Sequence, residues 1–263
     1  MTNEPQKTNV ESRFSASAET YESHAHIQKT AANHLMTLLP DETSSLLEIG
    51  CGTGQLTRSL YRKYPDARFH ILDVSADMVK ECKLALPKEI DATWHVSNIE
   101  SFESDERFPL IVSNSVLHWV EPLTQVLTKL RHISAPPAQL VCSIMTEGTL
   151  GELREVRSIV APGKPPRREM PNREKTVARF ESAGYDIVLE EEQTLVAHYP
   201  STVAFLRAIH QMGVTGGTVS QSHQPLSRSE LHALQNLYQE RYEDPLRGVK
   251  ASYKVLFLSV RAT

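Results

Sequence analysis

Apolar residues fall along this chain in two rhythms: short unbroken runs, and longer stretches in which they recur every three or four positions. The runs at 45 to 49, 68 to 73, 92 to 96, 109 to 114 and 138 to 144 read as strands. Between most of them the spacing is helical. Leu56, Leu60 and Tyr64 recur at i, i+4 and i+8, and Pro65 stands where that helix should stop. Upstream, Tyr21, Ile27, Ala31, Leu35 and Leu38 predict one helix or two within 14 to 39, after about eight polar residues that are expected to be mobile. Two late runs, 185 to 196 and 252 to 260, are separated by helical segments near 201 to 211 and 227 to 242. Strands alternating with helices predict a parallel sheet covered on both faces. The proline-rich stretch 162 to 171 reads as a loop, and no internal repeat is visible.

The densest chemistry follows the first run. Leu46-Leu47-Glu48-Ile49-Gly50-Cys51-Gly52-Thr53-Gly54 is an apolar strand with an embedded acid, ending in three alternate glycines. Glycine tolerates positive φ and has no Cβ, so such a bend turns sharply and lets a ligand reach the main chain. A second acid, Asp73, ends the next strand about 20 residues on, the spacing of a ribose-binding carboxylate. The dinucleotide fingerprint G-x-G-x-x-G fails, because position 55 is Gln55. Glu48 also adds negative charge where a pyrophosphate would bring its own. A cationic nucleoside fits this pattern better.

These residues resemble the binding loop of the class I S-adenosylmethionine-dependent methyltransferases, with Glu48, Gly50, Gly52 and Gly54 in the acid-x-Gly-x-Gly-x-Gly pattern. The resemblance implies a Rossmann-like α/β fold: a mostly parallel seven-stranded sheet with an antiparallel edge, helices on both faces and a helical cap insertion. It implies S-adenosylmethionine as cofactor, with Asp73 on the ribose and Asn98-Ile99 bracketing adenine. Cys51, Val74, Met78, Ser113 and Asn114 fall at further cofactor-contact positions.

A narrower likeness spans nearly the whole chain. Arg13-Phe14-Ser15 with Tyr21, Ser113 to Trp119, Gly148-Thr149-Leu150-Gly151-Glu152-Leu153, Gly213-Val214-Thr215-Gly216 and the tail from Tyr253 to Val260 are similar, in order, to blocks of the malonyl-acyl carrier protein O-methyltransferases that start biotin synthesis. One domain over 1 to 263 is then expected, with a helical lid at 10 to 40, a cofactor core at 45 to 145, caps at 146 to 180 and 200 to 245, and a final strand at 252 to 261. That family methylates the free carboxylate of a malonyl thioester. An anion of that kind, with pKa near ~4, needs no general base. The enzyme must align it behind the methyl carbon and keep the pocket dry, and alignment can supply roughly 7 to 11 kcal/mol. Tyr21 is the first choice for a lid, against a plain core aromatic. Arg13 is assigned as a carboxylate orienter, and His118 with Trp119 faces either the acceptor or the local packing.

Length and charge narrow the alternatives. At 263 residues, with net charge −4, no long apolar run and no apolar N-terminal core, the chain is expected to be cytoplasmic, with no membrane or nucleic-acid partner. Cys51, Cys82 and Cys142 are odd in number and far apart in sequence, and read as reduced thiols. His24 and His26 point to different helix faces and make a poor metal pair, and Glu190-Glu191-Glu192 reads as an exposed strand end. Between 154 and 179, eight basic residues stand against three acids, a local +5 that leaves −9 for the rest. Arg154, Arg157, Lys164, Arg167, Arg168 and Arg173 are therefore candidates to dock an acidic carrier protein, the alternative being a solvated face. Competing functions are methylation of a free small acid such as aconitate, a nicotinamide oxidoreductase, and a cofactor-binding module without transfer activity.

Overall fold

The computed structural model describes residues 4–164, 170–212 and 225–262, without the side chains of 4–10, 13 and 19. Arg167, Arg168 and the 213–216 block lie outside the described residues, as does the Arg13 side chain. The described chain forms two compact units: a larger one from Gln28–Met145, Pro171–Gln193 and Val255–Thr263, and a smaller one from Met1–Ile27, Thr146–Met170 and Thr194–Lys254.

In the larger unit the central strand is β1 (Ser45–Ile49), buried at every position. Parallel strands β2 (Arg68–Asp73) and β4 (Phe108–Asn114) flank it, with Ile49 level with both Leu72 and Ser113. Outside them lie β3 (Ala92–Val96) and β5 (Ser134–Met145), also parallel. The far edge is antiparallel: Val255 to Ala262, the last part of the strand Gly248–Ala262, runs against β5 from Met145 to Ala138. The strand Tyr185–Tyr199, β6, follows it in the sheet. Strand order therefore reverses direction between β1 and β4. At such a reversal in an open α/β sheet, right-handed crossovers diverge to opposite faces and leave a crevice beyond the strand ends.

Helices α2 (His26–Leu38), α3 (Gln55–Lys63), α4 (Ala76–Leu84), α5 (Leu123–His132) and α7 (Arg173–Ser182) serve this unit. The core is aliphatic, with Leu47, Ile49, Ile111, Leu127, Leu140 and Leu258 buried together. Backbone bonds from side chains pin α2 at both ends: Asn114 Nδ2 donates to the Gln28 carbonyl at 3.0 Å and Gln139 Nε2 to that of Leu38 at 3.3 Å.

The smaller unit holds α1 (Glu4–His24) against α8 (Thr202–Gln211), and α6 (Gly151–Val160) against α9 (Arg228–Tyr242). Ser201 caps α8, and Ser227 with Glu230 forms a capping box on α9, satisfying amides that a helix start leaves free. Gly248 has φ +84°, and a Cβ there would stand 2.1 Å from the Tyr199 carbonyl.

Several boundaries differ from the sequence reading. The first helix begins at Glu4, inside the stretch expected to be mobile; Pro5 falls in its first turn, where a missing N–H costs nothing. An eighth strand exists, β7 (Glu243–Asp244), which pairs with the start of β8 (Gly248–Ala262) and is too short to leave a periodicity. Glu190, Glu191 and Glu192 sit inside β6 rather than at its end. Glu190 pairs with Arg173 at 2.7 Å and Glu191 with His34 at 3.0 Å, partners brought by tertiary folding. The expected cap 146–180 is divided, its part from Pro171 onward joining the larger unit. Among the described residues no helix is long and apolar enough to cross a membrane.

On β2 and β3, His70 and His95 stack at 5.4 Å and share a hydrogen bond of 3.2 Å between Nδ1 and Nε2, with Phe108 and Phe102 against their rings. Burial lowers both below the usual 6.5; Glu106 opposes this at His70, and His70 itself adds to it at His95. The unfolded chain then takes up protons at a pH where the folded chain does not, so these histidines cost stability as pH falls below about 6.5. In His70→Phe the acid-side slope of unfolding free energy should be shallower than in the wild type, as read by urea titrations between about pH 7 and about pH 5.

Candidate active site

The turn after β1 is built from residues that only glycine can supply. Gly50, Gly52 and Gly54 have φ of 76°, 52° and 85°. A Cβ on Gly50 would lie 2.2 Å from Val116 Cγ2, and one on Gly54 2.9 Å from Cys82 Sγ. Backbone amides of Gly50 and Cys51 donate to the Leu72 carbonyl at 2.7 and 3.2 Å, which stitches the bend to the end of β2. Gly54 then serves as the N-cap of α3 in the left-handed region.

Asp73 stabilises the same bend from the side. Its Oδ2 accepts from the Gly52 amide and its Oδ1 from the Ser75 amide, each at 2.9 Å. Burial raises its pKa, and amides of Ser75, Gly52 and Val74 oppose the rise. A carboxylate has about four acceptor positions, so two remain for ligand hydroxyls. Ser75 caps α4 by accepting from the Met78 amide at 3.2 Å, and the Met78 side chain is buried.

Glu48 is the outlier. It is 1% exposed on a central strand, and neither carboxyl oxygen has a hydrogen-bond partner. Burial pushes its pKa up to about 8; nearby Thr57 pulls the other way without reaching hydrogen-bond geometry, and the negative charge of Asp73 adds to the rise. Thr53 Oγ1, inside the bend, is likewise buried without a partner. A buried acid and a buried hydroxyl left unmatched are each costly unless a ligand completes them.

The other predicted positions divide by what their side chains already do. Ile99 is buried and Asn98 half-buried just beyond β3; the Asn98 carbonyl accepts from the Phe102 amide at 2.9 Å. Ser113 Oγ donates to the Ile49 carbonyl at 3.2 Å. Asn114 gives Nδ2 to Gln28 and accepts from Ser143 Oγ at 2.7 Å. Both side chains therefore tie the end of β4 to its neighbours. His118 lies in a 3-10 turn after β4, with Nδ1 accepting from the Met145 amide at 3.4 Å. Burial lowers its pKa to about 3, so it is neutral at physiological pH with its remaining hydrogen on Nε2.

Tyr21 belongs to the smaller unit, where it packs edge-on to Phe14 at 6.2 Å. Three free thiols are all buried; Cys82, distant in sequence, is close enough to Cys51 to raise its pKa, and burial adds to the rise. Among the described residues no group of three or more ligand-type side chains could hold a metal ion.

Residues 47–140, which carry this bend and its acids, match the family model of a methyltransferase domain. Over that segment the chain is similar to methyltransferase domains. It is 29% identical over 258 residues to the malonyl-[acyl-carrier protein] O-methyltransferase of Anoxybacillus flavithermus, covering 95% of this chain and 96% of that one. It is 26% identical over 238 residues to malonyl-[acyl-carrier protein] O-methyltransferase 2 of Ilyobacter polytropus, covering 90% and 91%. In three dimensions it is similar to the N-methyltransferase NodS of Bradyrhizobium japonicum in complex with S-adenosyl-L-homocysteine, with TM-score 0.53 and 15% identity over 90% of this chain and 87% of that one. The class I methyltransferase fold is thus common ground.

The sequence reading missed Gln28, whose buried Oε1 has no partner, as well as Thr53 and Val116. Gln28 carried no local signal, since the Asn114 bond that brings it to the end of β4 spans 86 positions. Two outcomes are expected of this site. Gly50→Ala should lose about 2 kcal/mol or more of unfolding free energy in denaturant titration, through positive φ and the Val116 clash. A cationic nucleoside ligand should bind more tightly as pH rises towards about 8, because the bound state favours ionised Glu48; calorimetry should record proton release, and Glu48→Gln should abolish that release.

Proposed function

We propose that this chain transfers a methyl group from S-adenosylmethionine to the free carboxylate of a malonyl thioester on acyl carrier protein, and that the methyl ester primes pimeloyl formation in biotin synthesis. One observation carries the reading: relatives with that printed activity align over 95% of the chain, well beyond the 47–140 segment of the family model. The likeness therefore extends to segments outside the cofactor half, where acceptor choice is made in open α/β folds.

The residues present fit the methyl donor. Bound, S-adenosylmethionine supplies a methyl group on a positively charged sulfur. Glu48 offers the two unpartnered oxygens that a cationic ligand satisfies, and ionises when it does so. Asp73 receives ribose hydroxyls on its remaining lone pairs, while Asn98 and Ile99 bracket the adenine. Gly50, Gly52 and Gly54, with Cys51 between, let the main chain approach closely. Val74 and Met78 complete the adenosine side, and Ser113 and Asn114 contribute backbone only.

The acceptor is an anion at neutral pH, so no residue has to remove a proton. Neutral His118 suits this chemistry as an Nε2–H donor that orients a carboxylate oxygen without adding charge. A full positive charge gripping the acceptor would stabilise the ground state, whose charge disappears on transfer. Arg13 is accordingly assigned to orientation and Tyr21 to excluding water.

Of the basic residues assigned to the carrier, Lys164 pairs with Glu230 at 2.6 Å, Arg173 with Glu190, and Arg157 Nε donates to the Lys164 carbonyl at 3.1 Å. Those internal bonds weaken the case for a broad docking face. Arg154 differs: its Nη2 is buried without a partner, an unmet donor suited to a carboxylate. We assign it to anion recognition in the smaller unit.

Malonyl carrier protein incubated with the methyl donor should gain one methyl group on its acyl chain by mass spectrometry. Preference for free malonate or aconitate would favour the small-acid reading, and ligand binding without any methylated product would favour the inactive module. Arg154→Leu should raise KM for malonyl carrier protein roughly tenfold with little change in methyl-donor affinity.

A further inference from the structure

Strand β5 grips the segment that follows β4 at two points. Ser143 is level with Asn114, the last residue of β4, and is fully buried. Its hydroxyl donates to Asn114 Oδ1 at 2.7 Å and accepts from the Ser115 amide at 2.9 Å, an amide that also reaches the Ser143 carbonyl at 3.0 Å. Asn114 cannot turn its amide round, because Nδ2 donates to the Gln28 carbonyl at 3.0 Å. With its one hydrogen committed to Asn114, Ser143 can only accept from Ser115 Oγ, 3.4 Å away. Two residues further along β5, the Met145 amide donates to His118 Nδ1 at 3.4 Å.

These bonds hold a backbone that serine does not favour. Ser115 has φ 58°, in the left-handed region, where only one other described non-glycine residue, Leu150, is found. Such a conformation persists only where its surroundings over-determine it. Here it ends β4: an extended Ser115 would prolong the strand, whereas the kink turns the next three residues to separate tasks. Val116 fills the space that a Cβ on Gly50 would need, Leu117 is fully buried, and His118 returns to β5. The Ser143 hydroxyl is thus the side-chain anchor of a strained turn whose far end carries His118.

We propose that Ser143 is a positioning residue for methyl transfer: its buried hydroxyl holds the Ser115 kink, and the kink sets where the His118 ring meets the acceptor carboxylate. This rests on the proposed function, in which His118 orients that carboxylate. Alignment is what such a transfer needs most, and a displacement of about 1 Å can cost about 100-fold in rate. Ser143 acts only through Ser115 and His118, so its loss should be felt in turnover and hardly at all in affinity for the methyl donor.

The test is steady-state methylation of malonyl carrier protein by the full-length chain, with calorimetry of S-adenosylhomocysteine alongside. Ser143→Ala should lower kcat about tenfold and leave S-adenosylhomocysteine affinity within about twofold, which also reports that the variant is folded. Adding Ser115→Gly should restore most of the lost kcat, because glycine takes positive φ without a clamp. In a His118→Ala background, Ser143→Ala should cost no more than about twofold further, since the two residues act in series. Unchanged kcat in Ser143→Ala, an equal loss of ligand affinity, no rescue by Ser115→Gly, or a full tenfold loss on top of His118→Ala would each overturn the assignment. Wild-type protein that yields no methyl ester would overturn the proposed function itself, and the role of Ser143 with it.

Discussion

A chain leaving a central buried strand has to turn away within five residues while keeping the space beyond that strand empty of its own side chains. Gly50, Gly52 and Gly54 meet this constraint together, since each is at positive φ and Gly50 and Gly54 have no room for a Cβ. Val116 and Cys82 fill those spaces, so the tightness is set by packing from other elements. Everything that makes the crevice usable depends on this turn. The Gly52 amide reaches Asp73, the Gly50 and Cys51 amides reach Leu72, and Gly54 starts α3.

The same geometry explains why the site carries unbalanced charge. Glu48 stands on a strand with sheet neighbours on both sides, where water cannot solvate it, and the bend contributes no side chain that could pair with it. Burial therefore keeps the acid protonated near neutral pH in the ligand-free chain. A cation arriving beside it reverses that preference, because Coulomb attraction acts strongly where the surroundings are poorly polarisable. Asp73 differs for a local reason: two backbone amides bond its oxygens and offset part of the same desolvation. Two acids that flank one bend thus differ in how far their surroundings offset burial.

Around these acids, polar side chains divide into those that hold the frame and those left open. Ser113, Asn114 and Ser143 bond one another's strands and the start of α2. A fully satisfied network of this sort rigidifies a site by fixing where unsatisfied neighbours point. Gln28 and Thr53 are those neighbours. His118 belongs between the two groups, since one ring nitrogen is tied to Met145 and the other is available. Its neutrality follows from burial alone.

The five parallel core strands were legible in the chain because buried strands leave unbroken apolar runs and their turns need glycine; Glu48, the three glycines and Asp73 could be located from those runs alone. Fold class followed from the alternation of two periodicities, and the methyltransferase likeness from the acid-and-glycine pattern. Three-dimensional structure decided the rest, for reasons of distance along the chain. Arg157, Lys164 and Arg173 read as a free basic patch until Glu230 and Glu190, remote in sequence, were brought to two of them. Cys51 and Cys82 became neighbours only through the packing of α4 on the bend. Gln28 meets the end of β4 because Asn114 bonds its carbonyl across 86 positions. Periodicity records which face of an element avoids water, and so it determined the elements. Which buried polar atoms find partners depends on elements meeting, and that only the folded chain could decide.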